Sequence, residues 1–372
     1  MSLFLSAVFL FELFILVGHV IIYKSIISAF EIVDKKRKKL FAIIIFLFGI
    51  LFTFSTFIAN SGYSAFGTVL YKTSAILLGV TYIISVFSFL FLLIKWIIKK
   101  VRRDIVFQNM KVGVTFLILA LIISFYSYIQ ADTVLITKFN TTIPNLPEVW
   151  KGKKAVWVSD IHLGLIRDVS KANEVVDKIK SESPDIVFIG GDLFDGLPAN
   201  DAELIAPFST LKPSLGVYYI RGNHDESRSI NRYDALIKSA GIKILSDQAV
   251  IIKGLRIIGV GYQTTNSTAD FSAVLNNVLG STTNTIPTIL LKHSPKDLDV
   301  SSKFKIDLQI SGHSHAGQIF PGNLMTYLQY GKYDYGLQSK GTMAEYTSSG
   351  AGTWGPPFRF GTQSEIVSIT LH

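Results

Sequence analysis

Four long apolar runs, at about 3–23, 40–58, 73–98 and 112–130, constrain this chain more than any other feature of its sequence. Each approaches or exceeds the roughly 20 helical residues that cross a hydrocarbon core of about 30 Å, so residues 1–130 are read as a four-helix transmembrane region. With 49% hydrophobic and only 17% charged residues over 372 positions, an ordinary cytosolic two-domain enzyme is excluded. The first run is expected to stay in place and not to act as a cleaved signal peptide. No basic residue precedes it, its apolar stretch is too long, and no small-residue cleavage site follows.

The charge divides along the same line. Residues 1–130 hold 13 Lys/Arg and 4 Asp/Glu, a net of +9, whereas 131–372 hold 23 of each. The basic excess therefore speaks of membrane topology, and no nucleic-acid partner is expected. The loop at 31–39 carries Lys35, Lys36, Arg37, Lys38 and Lys39, and the loop at about 59–72 has only Lys72. The third loop and its flanks carry Lys95, Lys99, Lys100, Arg102, Arg103 and Lys111. By the positive-inside rule the first and third loops face the cytoplasm, which leaves everything after residue 130 on the extracytoplasmic side of an inner membrane. The chain has no cysteine, which fits either redox compartment equally. Glu12 and His19, seven apart on one face of the first run, are read as hydrogen-bonding groups within the bundle in preference to a proton or ligand site.

After residue 130 the texture changes to short β-rich apolar runs separated by Gly, Pro, Ser and Asp, with amphipathic stretches between them, the pattern of an α/β domain. Residues 131–150, with Pro144 and Pro147, read as an edge strand and linker, and 151–372 as the second domain. Strands are expected at 154–159, 186–190, 216–221, 249–253, 255–260, 287–292, 307–311 and 366–371, and helices at about 170–181, 200–211, 229–240 and 270–279.

Five of the seven histidines fall at or just beyond the C-terminal ends of these strands. Strand 154–159 runs into Asp160-Ile161-His162, where alternation turns the carboxylate and the imidazole to one side and Ile161 to the other. Strand 186–190 leads to Gly191-Asp192-Leu193-Phe194-Asp195, and strand 216–221 to Gly222-Asn223-His224-Asp225. Strand 287–292 ends at His293, and 307–311 at Gly312-His313-Ser314-His315. Open α/β sheets place ligands beyond the carboxyl ends of their strands, so the five clusters can converge on one crevice.

The order D-x-H, GDxxD, GNHD, an isolated His and then GHxH resembles the calcineurin-like metallophosphoesterase superfamily over about 150–372. SDIHLG at 159–164, GGDLFDG at 190–196, YIRGNHD at 219–225, LKHSP at 291–295, SGHSHAGQIFP at 311–321 and GTWGPPFRFGTQSEI at 352–366 look like its membrane-anchored bacterial branch. One departure is the lysine before His293, where serine or alanine is more usual. The resemblance implies an αββα sandwich and two divalent metal ions bridged by Asp192. One ion would be held by Asp160, His162 and His315, the other by Asn223, His293 and His313. Neutral His and Asn donors beside few carboxylates would keep the pair positive enough to attract phosphate and hold a hydroxide for attack on phosphorus. The oxygen and nitrogen donor set suits Mn, Fe, Zn or Mg, with Mn favoured. His224 would stabilise the phosphate and protonate the leaving group, with Asp225 orienting it or raising its pKa, or else capping a helix. Asp195 would hydrogen-bond a ligand histidine or close a turn.

The implied activity is hydrolysis of a phosphodiester or pyrophosphate. A membrane anchor concentrates lipid-linked phosphates, so a lipid or envelope precursor is favoured over a periplasmic nucleotide. Some relatives in the superfamily cleave a UDP-linked diacylglucosamine, but that lipid is made on the cytoplasmic side. The tyrosines at 327, 330, 333 and 335 can line an acyl or sugar channel, sit at the membrane interface or simply pack, and Trp354 can border the pocket. A metal-binding sensor or scaffold without turnover is the alternative from another class, and the complete ligand set stands against it. A transporter built on Glu12, His19 and Lys72 finds little pathway in four helices.

Overall fold

The computed structural model describes residues 2–101, 107–226, 230–280 and 286–372. Arg102 and Arg103 of the basic third loop, and Ser229 at the start of the expected 229–240 helix, lie outside them. The chain divides into two compact units, one running to Ile129 and including Gly355–Phe358, the other comprising Gln130–Trp354 and Arg359–His372.

In the first unit each apolar run lies within a helix: α1 (Ser2–Ala29), α2 (Lys35–Asn60), α3 (Ala65–Val101) and α4 (Asn109–Asp132). All four are long and apolar enough to cross a membrane. A helix satisfies its own backbone polar groups, as hydrocarbon surroundings require. α3, with 37 residues, extends about 55 Å and outruns the hydrocarbon core. Its far end carries the expected basic flank, Lys95, Lys99 and Lys100. The helices meet through small side chains, with Gly49, Ser55 and Ala59 of α2 and Gly67, Ser74, Ala75 and Gly79 of α3 buried. Such residues let backbones approach where no hydrophobic force separates helix from lipid. Glu12 accepts a hydrogen bond from Thr53 of α2, and His19 Nδ1 donates to the Ile15 carbonyl at 2.8 Å. Phe358, in the same unit, lies against Gly79, where a Cβ would come within 2.3 Å of its ring.

The second unit is two six-stranded sheets with helices outside them. The elements in chain order begin with β1 (Val134–Thr141), β2 (Lys154–Val158), α5 (Val169–Ser181), β3 (Ile186–Ile189), α6 (Asp201–Ile205) and β4 (Val217–Tyr219). They continue with α7 (Asn223–Glu226), α8 (Ile230–Ser239), β5 (Lys243–Ile244), β6 (Gln248–Ile252), β7 (Leu255–Gly259), α9 (Thr268–Leu279), β8 (Thr288–Leu291), α10 (Leu298–Lys303) and β9 (Leu308–Ser311). The last are α11 (Gly322–Tyr330), β10 (Gly336–Lys340), β11 (Met343–Thr347) and β12 (Ser364–Leu371). The strand orders are β1-β12-β2-β3-β4-β5 and β10-β11-β9-β8-β7-β6.

Alternation along the strands builds the layers. Val156 and Val158 face outward from the first sheet onto Val175, Val176 and Ile179 of α5 and Ile237 of α8. Ala155 and Trp157 face the other way, into a core shared with Ile257, Ile289, Leu291, Leu308 and Ile310 of the second sheet. Beyond the second sheet, Ile258 and Leu290 pack with Phe271 and Leu275 of α9. The result is the expected αββα sandwich, with β1 on an edge and Pro144 and Pro147 in the connecting stretch after it. The short elements α7, α10, α11, β5, β10 and β11 were not legible in advance. The stretch expected as one helix at 200–211 is α6 followed by a 3-10 segment, Ala206–Thr210.

Candidate metal centre

The parallel neighbours β2, β3 and β4 of one sheet, and β8 and β9 of the other, all point their carboxyl ends at one place. From there Asp160, His162 and His315 converge, as do His162, Asp192 and His224, and Asp192, His293 and His313. The donor atoms of each triad lie within 4.8 Å of one another, close to the spacing of atoms about 2.1 Å from a common ion. Asp192 Oδ2 lies between the outer groups, 3.8 Å from His162 Nε2 and 3.3 Å from His293 Nε2. Its Oδ1 accepts the His224 backbone N–H at 2.8 Å. Asn223 Oδ1 is buried with no hydrogen-bond partner. A buried amide oxygen without a donor is costly, and a cation is the partner its chemistry suits.

The backbone here is unusual. Asp160, His162, Asp192, His313 and His315 all have positive φ, between 49° and 70°. That region disfavours residues with a Cβ, and strain of this kind gathers at functional sites. Close approach matters as much: a Cβ on Gly222 would lie 2.1 Å from Asp192 Oδ1, and one on Gly312 2.3 Å from Asp160 Oδ2.

Electrostatics follow from burial and neighbours. Burial opposes a charged Asp192, but His293, His224 and His162 outweigh it and hold its pKa well below the usual carboxylate range. Burial likewise opposes a charged His293, yet Asp192 and Asp160 raise it to about 10. Burial and the proximity of His293 push His313 down to about 3. Burial, His162 and Arg359 push His315 down too. Neutral imidazoles are ready ligands, and the proton on His293 is one that a divalent cation displaces.

The surrounding groups are specific. Asp225 is buried, and its carboxylate accepts from the backbone N–H groups of Asp192 at 2.7 Å, Gly222 at 3.0 Å and Phe194 at 3.2 Å. The sequence offered Asp225 to the His224 ring or to a helix end, whereas the structure gives its carboxylate to the turn that carries Asp192. The group on His224 Nδ1 is the Asp195 carbonyl, at 3.0 Å, while the Asp195 carboxylate lies 3.4 Å from His162 Nδ1. His293 Nδ1 donates to the Gly190 carbonyl at 2.8 Å. The Trp354 ring is 6.0 Å from that of His224, and the Tyr330 ring 6.5 Å from that of His313.

Two neighbours escaped the sequence reading. The Tyr262 ring lies 5.4 Å from that of His313. Arg359, fully buried, donates to the carbonyls of His315, Ser349 and Gly352 at 3.2, 2.6 and 2.8 Å. Its one signal was a position inside GTWGPPFRFGTQSEI.

Residues 153–317 match the calcineurin-like phosphoesterase family. A protein of Helicobacter pylori J99 named as a metallophosphoesterase is 34% identical over 236 residues, 63% of this chain and 64% of its own length. A Danio rerio transmembrane protein with a metallophosphoesterase domain is 31% identical, covering 68% of this chain and 61% of its own. A metallophosphoesterase of Aquifex aeolicus is 29% identical, covering 68% and 97%. The chain thus spans under two thirds of the Helicobacter and Danio proteins, and its relatives are not confined to bacteria. Residues 153–317 thus form a calcineurin-like phosphoesterase domain, and four helices long and apolar enough to cross a membrane precede it. Members of this family use divalent metals, and the Asp and His clusters fit them.

Proposed function

We propose that this chain hydrolyses a phosphodiester or pyrophosphate bond of a lipid or envelope precursor at a two-metal centre. The observation that carries the reading is the convergence of two carboxylates, four imidazoles and the unpaired Asn223 amide oxygen at the strand ends of both sheets. Asp160, His162 and His315 would hold one divalent ion, Asn223, His293 and His313 the other, with Asp192 between them and manganese the favoured metal. When bound, such ions supply a water of lowered pKa and neutralise phosphoryl oxygens.

The chain's own residues do the rest. Two carboxylates among neutral donors leave surplus positive charge for an anionic substrate. The Asp195 carbonyl accepts a hydrogen bond from His224 Nδ1–H and so leaves Nε2 to face the phosphoryl oxygen; as an imidazolium, protonated on both nitrogens, the ring would give its Nε2 proton to the leaving alkoxide and end as the neutral Nδ1–H form. Asp225 positions the Asp192 turn through backbone amides. A membrane anchor would raise the local concentration of lipid-linked phosphates, and the lysine and arginine bias of the loops supports an extracytoplasmic domain on an inner membrane.

Hydrolysis of bis(p-nitrophenyl) phosphate by the detergent-purified chain, with and without Mn²⁺, tests the chemistry. Metal-dependent turnover lost in Asp192→Asn and in His224→Ala is the expected result. Stoichiometric metal without turnover for any divalent ion would replace this reading with a sensor or scaffold.

A further inference from the structure

In the second unit the large apolar side chains exposed to solvent are not scattered. Leu135 lies on β1, and Val149 and Ile251 adjoin Trp150 and Ile252, which are joined by a hydrogen bond, while Phe320, Leu324, Met325, Tyr327, Leu328, Tyr335, Leu337 and Trp354 lie on or near α11 in the chain or in space. α11 buries none of its residues. Leu324, Met325, Tyr327 and Leu328 are 54%, 68%, 57% and 79% exposed. At the helical period these four share one side, with Asn323, Thr326 and Gln329 on the other. A contiguous apolar patch of this kind marks an interaction surface and not a random exposed side chain.

The structure also says where this face lies in relation to the point at which the chain leaves its last apolar helix. Only Thr133 separates α4 from β1. The Arg167 guanidinium holds the Ala131 carbonyl at 3.0 Å, the Asp132 carboxylate at 2.9 Å and the Thr353 hydroxyl at 3.2 Å. Next to Thr353, the Trp354 backbone N–H donates to the Gln318 side chain at 2.9 Å, and the Gln318 amide returns a bond to the Trp354 carbonyl at 3.1 Å. Gln318 leads through Phe320 into α11. Within the second unit a short chain of bonds thus connects Ala131 and Asp132, the residues that follow the last apolar run, to the segment that leads into the apolar face.

We propose that α11, with Phe320 and Trp354, is an interfacial element that lies in the headgroup region of the bilayer. Tyrosine and tryptophan favour that region, and an amphipathic helix lies in its plane with its apolar side toward the acyl chains. Tyr330 at the end of α11 stands by His313 and Trp354 stands by His224, so the docked surface flanks the metal centre on two sides. This deepens the lipid-phosphate reading and rests on it for the substrate alone, because docking is measured without turnover.

The absence of native cysteine makes the experiment clean. Full-length Leu328→Cys and Met325→Cys, each carrying an environment-sensitive fluorophore, are reconstituted in phosphatidylcholine–phosphatidylglycerol vesicles beside Ile251→Cys, an exposed apolar position outside the patch. The expected result is quenching by nitroxide-labelled lipid at 325 and 328 about twofold or more above that at 251, with protection from iodide. Iodide quenching at 328 equal to that at 251 overturns the proposal, and so does shielding from both quenchers, which would mean a protein partner or a second copy. In parallel, Leu324→Glu with Leu328→Glu is expected to slow a vesicle-embedded lipid phosphodiester about tenfold while leaving bis(p-nitrophenyl) phosphate unchanged. Lipid quenching without any lipid-phosphate turnover sustains the docking and defeats the substrate reading. Turnover with iodide-accessible labels does the reverse.

Discussion

The apolar helices and the turns of the candidate metal centre handle the backbone in opposite ways. Among the described residues none inside α1–α4 has a positive φ, and the left-handed Glu31 and Gly62 fall between helices. At the metal centre five of the seven proposed ligands are left-handed, at about 1–2 kcal/mol each. Lipid tolerates only backbone that bonds to itself, so the four helices are regular, and polar side chains such as Glu12 and Thr53 bond from helix to helix. The centre needs donors aimed at common points from five strand ends, and regular structure cannot aim them. The αββα core, packed on three apolar layers, holds those turns in place.

The contrast is broken most sharply at Gly222. Alanine there puts a Cβ 2.1 Å from Asp192 Oδ1 and 2.5 Å from Asp192 N, so Gly222→Ala is expected to lose metal and at least about 100-fold in activity. Metal analysis and far-ultraviolet circular dichroism of the purified chain check this; retained stoichiometric metal would show that the turn is not over-determined.

A smaller effect is expected at Asp225. Asparagine replaces one carboxylate oxygen with a donor facing backbone amides, so Asp225→Asn should weaken metal binding by about 10–100-fold. A chelator-competition titration reads it, and activity restored by excess Mn²⁺ would confirm a positioning role.

The buried Glu345 sharpens the comparison through pH. Burial raises its pKa from the ordinary 4.5 to about 8, so between those values the folded chain holds a proton that the unfolded chain has released. Stability therefore falls as pH rises from 4.5 to about 8 and stops falling on this account above it. Thermal unfolding in detergent should show the wild-type Tm dropping relative to Glu345→Gln across that window. A constant difference between the two would refute the assignment.

The smallest effect belongs to the membrane region. Glu12→Gln keeps an acceptor for Thr53, so its stability cost should stay near the average of about 0.6 kcal/mol for hydrogen bonds between membrane helices. Phosphoesterase turnover should not change; a large loss would show that the first unit does more than anchor.

Much of the fold was legible because it is periodic. The short apolar run at 154–159 announced β2, and the amphipathic stretches announced α5, α8 and α9. α11 escaped because it buries no residue and so carries no core-facing stripe, and β10 because it is a half-buried edge strand; β11 lies inside the sheet and is largely buried, but the buried Glu345 interrupts its apolar pattern. At the site, the Asp and His residues stood out because they cluster at or just beyond the ends of apolar strands, Asp192, His224 and His313 directly after a glycine or asparagine. The partners of Asp225 and Arg359 did not, since both bond to backbone atoms that the identity of a neighbouring residue does not reveal.

Sequence alone determined the membrane-spanning region and its charge bias, the α/β class of the second unit, and the residues able to ligate a metal. These depend on local hydropathy, period and residue chemistry, which a linear reading carries. Only the tertiary structure decided that Asp192 lies between His162 and His293, that Asp195 serves His224 through its carbonyl, and that Arg167 joins Ala131 and Asp132 to Thr353. Those facts depend on which strand ends the two sheets bring together, and such long-range juxtapositions are fixed by packing and not by any single segment.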